Sequence, residues 1–243
     1  YDITKIDKWF IERLKNLADY EKHIQSEFNE ELYIKGKKLG FTDKAITRLS
    51  GRKIENSKPC VYRMVDTCAG EFAASTPYFY SCFEDYCEAR QVKDDRKKII
   101  VLGSGPIRIG QGIEFDYSSV HCVWTLKSLG YSVVIINNNP ETVSTDFDTA
   151  DRLYFEPLTE EDVLNVIRVE QPEGVVVAFG GQTAIKLAKF LDDNGIKILG
   201  TSAEGIDMAE DRERFDALLE QLHIHRPSGM GVMTEAEAIS AAE

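Results

Sequence analysis

The sequence predicts a doubly wound, mostly parallel α/β sheet preceded by a mainly helical domain, and three observations carry that expectation. Past residue 97, short runs of strand-forming residues alternate with helical patterns. Those runs are apolar throughout rather than at every second position, which suits strands covered on both faces by crossover helices. Ahead of residue 97 the apolar positions recur at steps of three and four, the spacing of one helix face.

In the helical part, Ile6, Phe10, Leu14, Leu17, Ile24 and Phe28 form a stripe that must pack on something. A second, short helix runs through ELYIKGKKLG with Gly40 placed as its stop, and Thr42 caps a third through DKAITRLSG, ending near Gly51. Residues 52 to 97 are aromatic-rich, with Pro59 and Pro77 breaking any long helix, and are expected to be mixed extended and helical. The charged stretch ARQVKDDRKK, residues 89 to 98, is expected to be a linker. Strands are then predicted at KIIVLG (98–103), SVVIIN (132–137), RLYFEP (152–157), GVVVAF (174–179) and IKILGT (196–201). AEGIDMAEDRERFDALLEQL is predicted to be one longer helix, with Ile206, Met208, Phe215, Leu218, Leu219 and Leu222 as its apolar positions. The expected division is 1–97, 98–215 and 216–243, the last being the start of a further unit.

Composition narrows the function classes. A chain of 243 residues exceeds the usual single-domain length of roughly 150, so two domains are expected. With 29 Lys and Arg against 41 Asp and Glu, the formal charge of −12 repels phosphate backbones and anionic lipid, so neither nucleic acid nor membrane is an expected partner. No run approaches ~18 uninterrupted apolar residues and the N-terminus lacks a signal-peptide layout, which predicts a cytoplasmic chain. The five cysteines are an odd number without CxxC spacing, so neither a disulfide framework nor a zinc site is expected, and reduced, mostly buried thiols are. No metal site is predicted elsewhere: His223 and His225 lie two apart with no third ligand in view, and His121 falls in a predicted helix. The missing initial Met and the open helical pattern of EAISAAE suggest a piece of something longer.

The stretch LGSGPIRIGQGIEFDY, residues 102 to 117, poses the functional question. A dinucleotide fold requires G-x-G-x-x-G after its first strand and an acidic residue after its second. Gly103 and Gly105 fit, but the third position is Arg108, and the second strand ends in NNNPET with Pro140 before Glu141. The alternative for those two glycines is close strand–helix packing. Three strand ends nevertheless carry polar text: Arg108, Gln111, Glu114 and Asp116 after the first, Asn139 and its neighbours after the second, and Gly180, Gly181, Gln182 and Thr183 after the fourth. Carboxyl ends of strands are where open α/β sheets hold ligands, so a shared crevice is expected there. Ordinary capping, with Asp116 and Thr183 as examples, is the competing account.

LGSGPIRIGQGIEFDYSSVH, NNNPETVSTDFDTADRLYFEP, GGQTAIKLA and AEDRERF together closely resemble the carbamoyl phosphate synthetase large-chain family, and the resemblance covers essentially the whole sequence. It implies the end of a helical oligomerisation domain followed by the Rossmann-like pre-ATP-grasp domain of the second, carbamate-phosphorylating half, with residues 216–243 opening an ATP-grasp domain. The family makes carbamoyl phosphate from bicarbonate, glutamine-derived ammonia and ATP. The implied cofactors are therefore ATP with Mg²⁺ or Mn²⁺ in the parent, and the implied partners are the rest of the large chain, a glutaminase small subunit and further copies joined through the helical domain.

By resemblance, Arg212 reaches the ATP phosphates in the parent, while Gly112, Glu114 and Glu141 line the passage that carries carbamate between active sites. Gln111, Asn139, Arg108 and residues 180 to 183 form the wider strand-tip site. For Arg212 the alternative is an exposed helix partner of Asp216; for Gly112, close helix–sheet packing. Phosphoryl transfer relies on positive donors and metal ions. The strand tips offer few basic residues, so the chain alone is expected to be a scaffold without catalysis. A dinucleotide-binding enzyme and a pure subunit-association module remain the other two readings.

Overall fold

A computed structural model describes residues 1–106, 114–227, 229 and 231–242. Three helices open the chain: α1 (Lys8–Ser26), α2 (Glu30–Lys38) and α3 (Asp43–Ser50). Each starts on a side-chain cap, the oxygens of Asp7, Asn29 and Thr42 accepting from the backbone N–H groups of Trp9, Leu32 and Ala45. Gly51 ends α3 in the left-handed conformation at φ 66°, where a side chain would be strained. Tyr20 and Ile24 of α1 are buried with Tyr33 and Ile46. The expected stripe is only partly packed, because Phe10 and Leu14 remain 57% and 63% exposed.

Six strands form one sheet in the order β1-β2-β5-β4-β3-β6: β1 (Val61–Met64), β2 (Tyr78–Cys82), β3 (Lys98–Leu102), β4 (Ser132–Ile136), β5 (Arg152–Tyr154) and β6 (Gly174–Val176). All neighbours run parallel except β1 and β2. The middle strands are buried along their length, as their unbroken apolar text requires. Helices α4 (Glu114–Ser128), α5 (Glu160–Glu170), α6 (Gly181–Ile185) and α7 (Ala188–Asp193) accompany the strands, and α8 (Ala203–Glu210), α9 (Arg212–Gln221) and α10 (Glu235–Ala242) complete the chain.

The structure differs from expectation in four places. The sheet does not begin at residue 98, because the aromatic-rich region supplies β1 and β2; Phe79 on β2 stacks on Tyr154 of β5, with ring centroids 5.4 Å apart. The stretch expected to be a linker is pinned to the sheet: Ala89 is buried, and the Arg152 guanidinium donates to the carbonyls of Ala89 at 3.1 Å and Val92 at 2.6 Å. IKILGT adds only an isolated bridge, Ile198 to Val175, before Gly200 turns at φ 91°. The long C-terminal helix is two helices, since Asp211 leaves helical geometry at ψ 116° and its carboxylate caps α9 by accepting from Arg214 N–H at 2.9 Å. Cys60 and Cys87 are buried, whereas Cys68, Cys82 and Cys122 are half-buried, and all five are free thiols. No helix among the described residues is long and apolar enough to cross a membrane.

Candidate functional site

Three strand ends converge where β3, β4 and β6 finish, and Asn137 holds two of them together. This residue follows the buried strand β4 and has no exposed surface. Its Oδ1 accepts from Gly105 N–H at 3.1 Å and from Asn139 N–H at 3.2 Å, while its amide nitrogen donates to Ser144 Oγ at 3.3 Å. The turn after β3 is shaped around that amide. A Cβ on Gly103 would lie 2.6 Å from Asn137 Cγ, and Gly105 sits at φ 69°. One donor of the glycine turn, the N–H that could have faced a phosphate, is thus committed to an internal acceptor.

The first turns of α4 lie between the β4 and β6 tips. Asp116 is buried, and its Oδ2 accepts from Ser144 N–H at 3.2 Å, crossing to the 3₁₀ turn Val143–Thr145 rather than capping its own helix. Its Oδ1 is buried without a hydrogen-bond partner among the described residues. Ser119 Oγ donates to the Phe179 carbonyl at 3.4 Å, and a Cβ on Gly181 would touch the Phe115 ring at 3.5 Å. Gly180 admits no side chain at all, since a Cβ there would lie 2.6 Å from the Gly103 carbonyl oxygen. The glycines of the β6 tip therefore serve close packing of β3, α4 and α6.

The residues singled out by sequence are distributed unevenly around this point. Glu114 opens α4 and is exposed; Glu141 is exposed, with its N–H donating to Asn139 Oδ1 at 3.1 Å. Asn139 is half-buried beside Asn137. Gln182 reaches across to Glu210 at 3.3 Å, so the start of α6 adjoins the end of α8, two residues before Arg212. Arg212 is exposed at the start of α9 and makes no ion pair among the described residues; Asp216, its expected helix partner, pairs instead with Arg226 at 3.3 Å. Thr183 faces elsewhere, lining a surface depression with Lys44, Glu160 and Arg168. Arg108, Gln111 and Gly112 lie outside the described residues.

Asn137 and Ser144 were missed by sequence reasoning. The available signal was an asparagine closing a wholly apolar strand, where an unpaired amide would be costly unless it served the neighbouring turn. At the described tips the Gly105 N–H is used internally, and no group of three His, Cys, Asp or Glu among the described residues is arranged to hold a metal ion.

Comparison with known proteins agrees with this architecture. Residues 1–62 match the carbamoyl-phosphate synthetase large chain oligomerisation domain, and residues 95–208 match the carbamoyl phosphate synthase pre-ATP-grasp domain. Relatives named carbamoyl phosphate synthase large chain include those of Lachnoclostridium phytofermentans, 54% identical, and Clostridium botulinum strain Alaska E43, 55% identical, each over 99% of this chain. The chain spans about a quarter of their length, 24% in both cases. Among solved structures, the biotin carboxylase subunit of pyruvate carboxylase aligns at a TM-score of 0.40 and 21% identity, over 60% of this chain and 32% of that one, a likeness too loose to bear on function. Two domain models in the family's order, joined by relatives at this identity along nearly every residue, establish that the chain belongs to the carbamoyl phosphate synthase large-chain family.

Proposed function

We propose that this chain is the segment in which the carbamate-phosphorylating half of a large chain begins, that it scaffolds that half, and that it neither binds nucleotide nor carries out catalysis by itself. The observation supporting this is the Asn137 side chain occupying the glycine turn, with no converging positive donors of the kind phosphoryl transfer needs among the described strand-tip residues. ATP and its Mg²⁺ or Mn²⁺ belong to the ATP-grasp unit of the parent enzyme, with Arg212 contributing from the edge of the present segment. Titration of the 243-residue chain with Mg-ATP and, separately, with NAD should give no heat of binding. Tight ATP binding would overturn the scaffold reading, and NAD binding would revive the dinucleotide alternative.

Under the same proposal the strand-tip residues carry carbamate rather than phosphate. Glu114 and Glu141, exposed at two of the tips, are assigned to the walls of that passage, and Gly112, outside the described residues, is assigned the role of leaving it open by having no side chain. In the complete enzyme, replacing Gly112 with a bulky residue should raise the ATP consumed per carbamoyl phosphate formed, because carbamate that cannot pass is lost to water. Unchanged coupling would remove the passage from consideration.

A second reading concerns assembly, and it has its own observation. The N-terminal half of α1 presents Trp9, Phe10 and Leu14 to solvent, each more than half exposed, within the region matching an oligomerisation domain. This face joins a second copy of the chain. Sedimentation should detect concentration-dependent association that Leu14→Glu abolishes, and an unchanged sedimentation profile in that variant would refute the contact.

A further inference from the structure

A cavity of about 260 Å³ lies where the α2–α3 segment meets the β2–β5 side of the sheet, away from the β3, β4 and β6 tips. Its lining includes Glu156, Glu161, Asp162 and Asn165 together with Phe41 and Tyr80. Three carboxylates therefore face one ammonium, that of Lys37, which is already committed: it pairs with Glu161 and with Asp43 at 3.0 Å, and its side chain is 3% exposed. Burial works against the Lys37 charge, but those two carboxylates outweigh it and hold its pKa above the ordinary lysine value.

Glu156 and Asp162 make no ion pair among the described residues, although the Lys37 charge acts on Asp162 from a distance. Glu156, 3% exposed, accepts only from the backbone N–H and hydroxyl of Ser81 among the described residues, the latter at 3.0 Å. Burial pushes its carboxyl up to about 7, and the charge of Asp162 adds to the shift. Asp162 is raised in turn, chiefly by burial, with the Thr159 hydroxyl at 2.6 Å opposing. Asn165 supplies an independent sign of a missing occupant. It lies on the same α5 face as Glu161, four residues on, is nine-tenths buried, lines the cavity, and makes no side-chain hydrogen bond among the described residues.

We propose that this cavity binds a small primary alkylammonium ion, with Glu156 and Asp162 as counter-charges, the Asn165 carbonyl as a further acceptor and the Phe41 and Tyr80 rings against the alkyl part. An anion is disfavoured because the only lining cation is neutralised. A metal ion is disfavoured because no three-ligand cluster of His, Cys, Asp or Glu occurs among the described residues. An alkylammonium matches both parts of the lining, its N–H donors meeting carboxylates and its alkyl group meeting the aromatic rings. Binding must be linked to the protonation of Glu156, around which Ser81, Cys60, Tyr62, Asp162, Glu161 and Lys37 are the polar and titratable neighbours.

The test uses the 243-residue chain with ethylammonium chloride at pH 8, and tetramethylammonium and sodium chlorides at matched ionic strength as controls. Ethylammonium should raise the melting temperature saturably, and saturation-transfer NMR should detect contact between its methyl protons and the protein. Tetramethylammonium, which has no N–H donor, and sodium should do neither. Affinity should fall at least about tenfold at pH 5, where Glu156 takes up a proton. Glu156→Gln and, independently, Asn165→Leu should remove the response. Equal shifts from ethylammonium and sodium, or full ethylammonium response in both folded variants, would overturn the site.

Discussion

Glu170 and Glu156 are withdrawn from solvent to the same degree, 2% and 3% exposed, yet the sheet treats them differently. Glu170, at the end of α5, receives Arg152 Nη1 at 2.8 Å, Lys98 Nζ at 2.7 Å and the Tyr154 hydroxyl. Glu156 receives only Ser81. Around Glu170 the charges form a closed network that also ties residues 89–92 to β5 through the Arg152 guanidinium. Around Glu156 the charge is uncompensated and a cavity adjoins it. Burial alone therefore does not separate an acid that holds the fold from one that awaits a partner; the count of compensating donors does.

Breaking the closed network should produce the largest effect. Arg152→Ala strips Glu170 of its guanidinium and takes the donor from the buried Ala89 carbonyl and from that of the exposed Val92. A loss of about 3–5 kcal/mol is expected for removal of one partner from a buried ion pair. Urea unfolding measures this directly, and proteolysis should become faster within residues 89–97 before the rest of the chain. A loss below about 1 kcal/mol, the range of exposed pairs, would mean that Glu170 is no better compensated than a surface acid.

Much of this fold was legible because its signals are local. Apolar runs at 98–103 and 132–137 became β3 and β4, and Thr42 and Gly51 bound α3 where their chemistry places them. What escaped were pairings between distant residues. Nothing near Tyr78–Cys82 announces β5 as its neighbour, since that depends on Phe79 meeting Tyr154 across 75 positions. The charged stretch 89–98 looked free because the arginine that fixes it is at 152. At the candidate site, Asp116 was visible as a polar residue, but its bond to Ser144 required the folded geometry. Cavity acids are least legible of all, because Glu156 and Glu170 have the same local character in sequence and differ only in what folds against them.

The second effect is a pH dependence that should follow Glu156. Glu156 has an ordinary carboxyl value of 4.5 when unfolded and about 7 when folded, so the native state holds its proton more tightly. The stabilisation is complete below the unfolded value and is lost as pH rises from 4.5 to about 7. Asp162, shifted in the same direction, steepens the slope. Glu156→Gln keeps both Ser81 contacts, its carbonyl accepting from the N–H and its amide donating to the hydroxyl, without a charge to bury. At pH 8 the variant should be more stable than the parent chain by about 1–3 kcal/mol, with near equality at pH 4. Thermal melts across that range decide it, and parallel curves for the two proteins would sink the assignment.

The smallest and most discriminating comparison removes one hydroxyl from each acid. Tyr154→Phe takes a donor from Glu170 but leaves Arg152 and Lys98 in place, so about 1 kcal/mol should be lost at neutral pH. Ser81→Ala takes the hydroxyl from Glu156 and leaves only the Ser81 N–H. Because that hydroxyl favours the ionised form, its removal should raise the Glu156 carboxyl further and extend the loss of stability to higher pH. Ser81→Ala should therefore show itself in the shape of the stability–pH curve, as a displaced descending limb, beside the loss of similar size that Tyr154→Phe reports at one pH. If Ser81→Ala gave only a vertical offset, Glu156 would not be the group that titrates with folding, and the reason to expect a cation in the cavity would go with it.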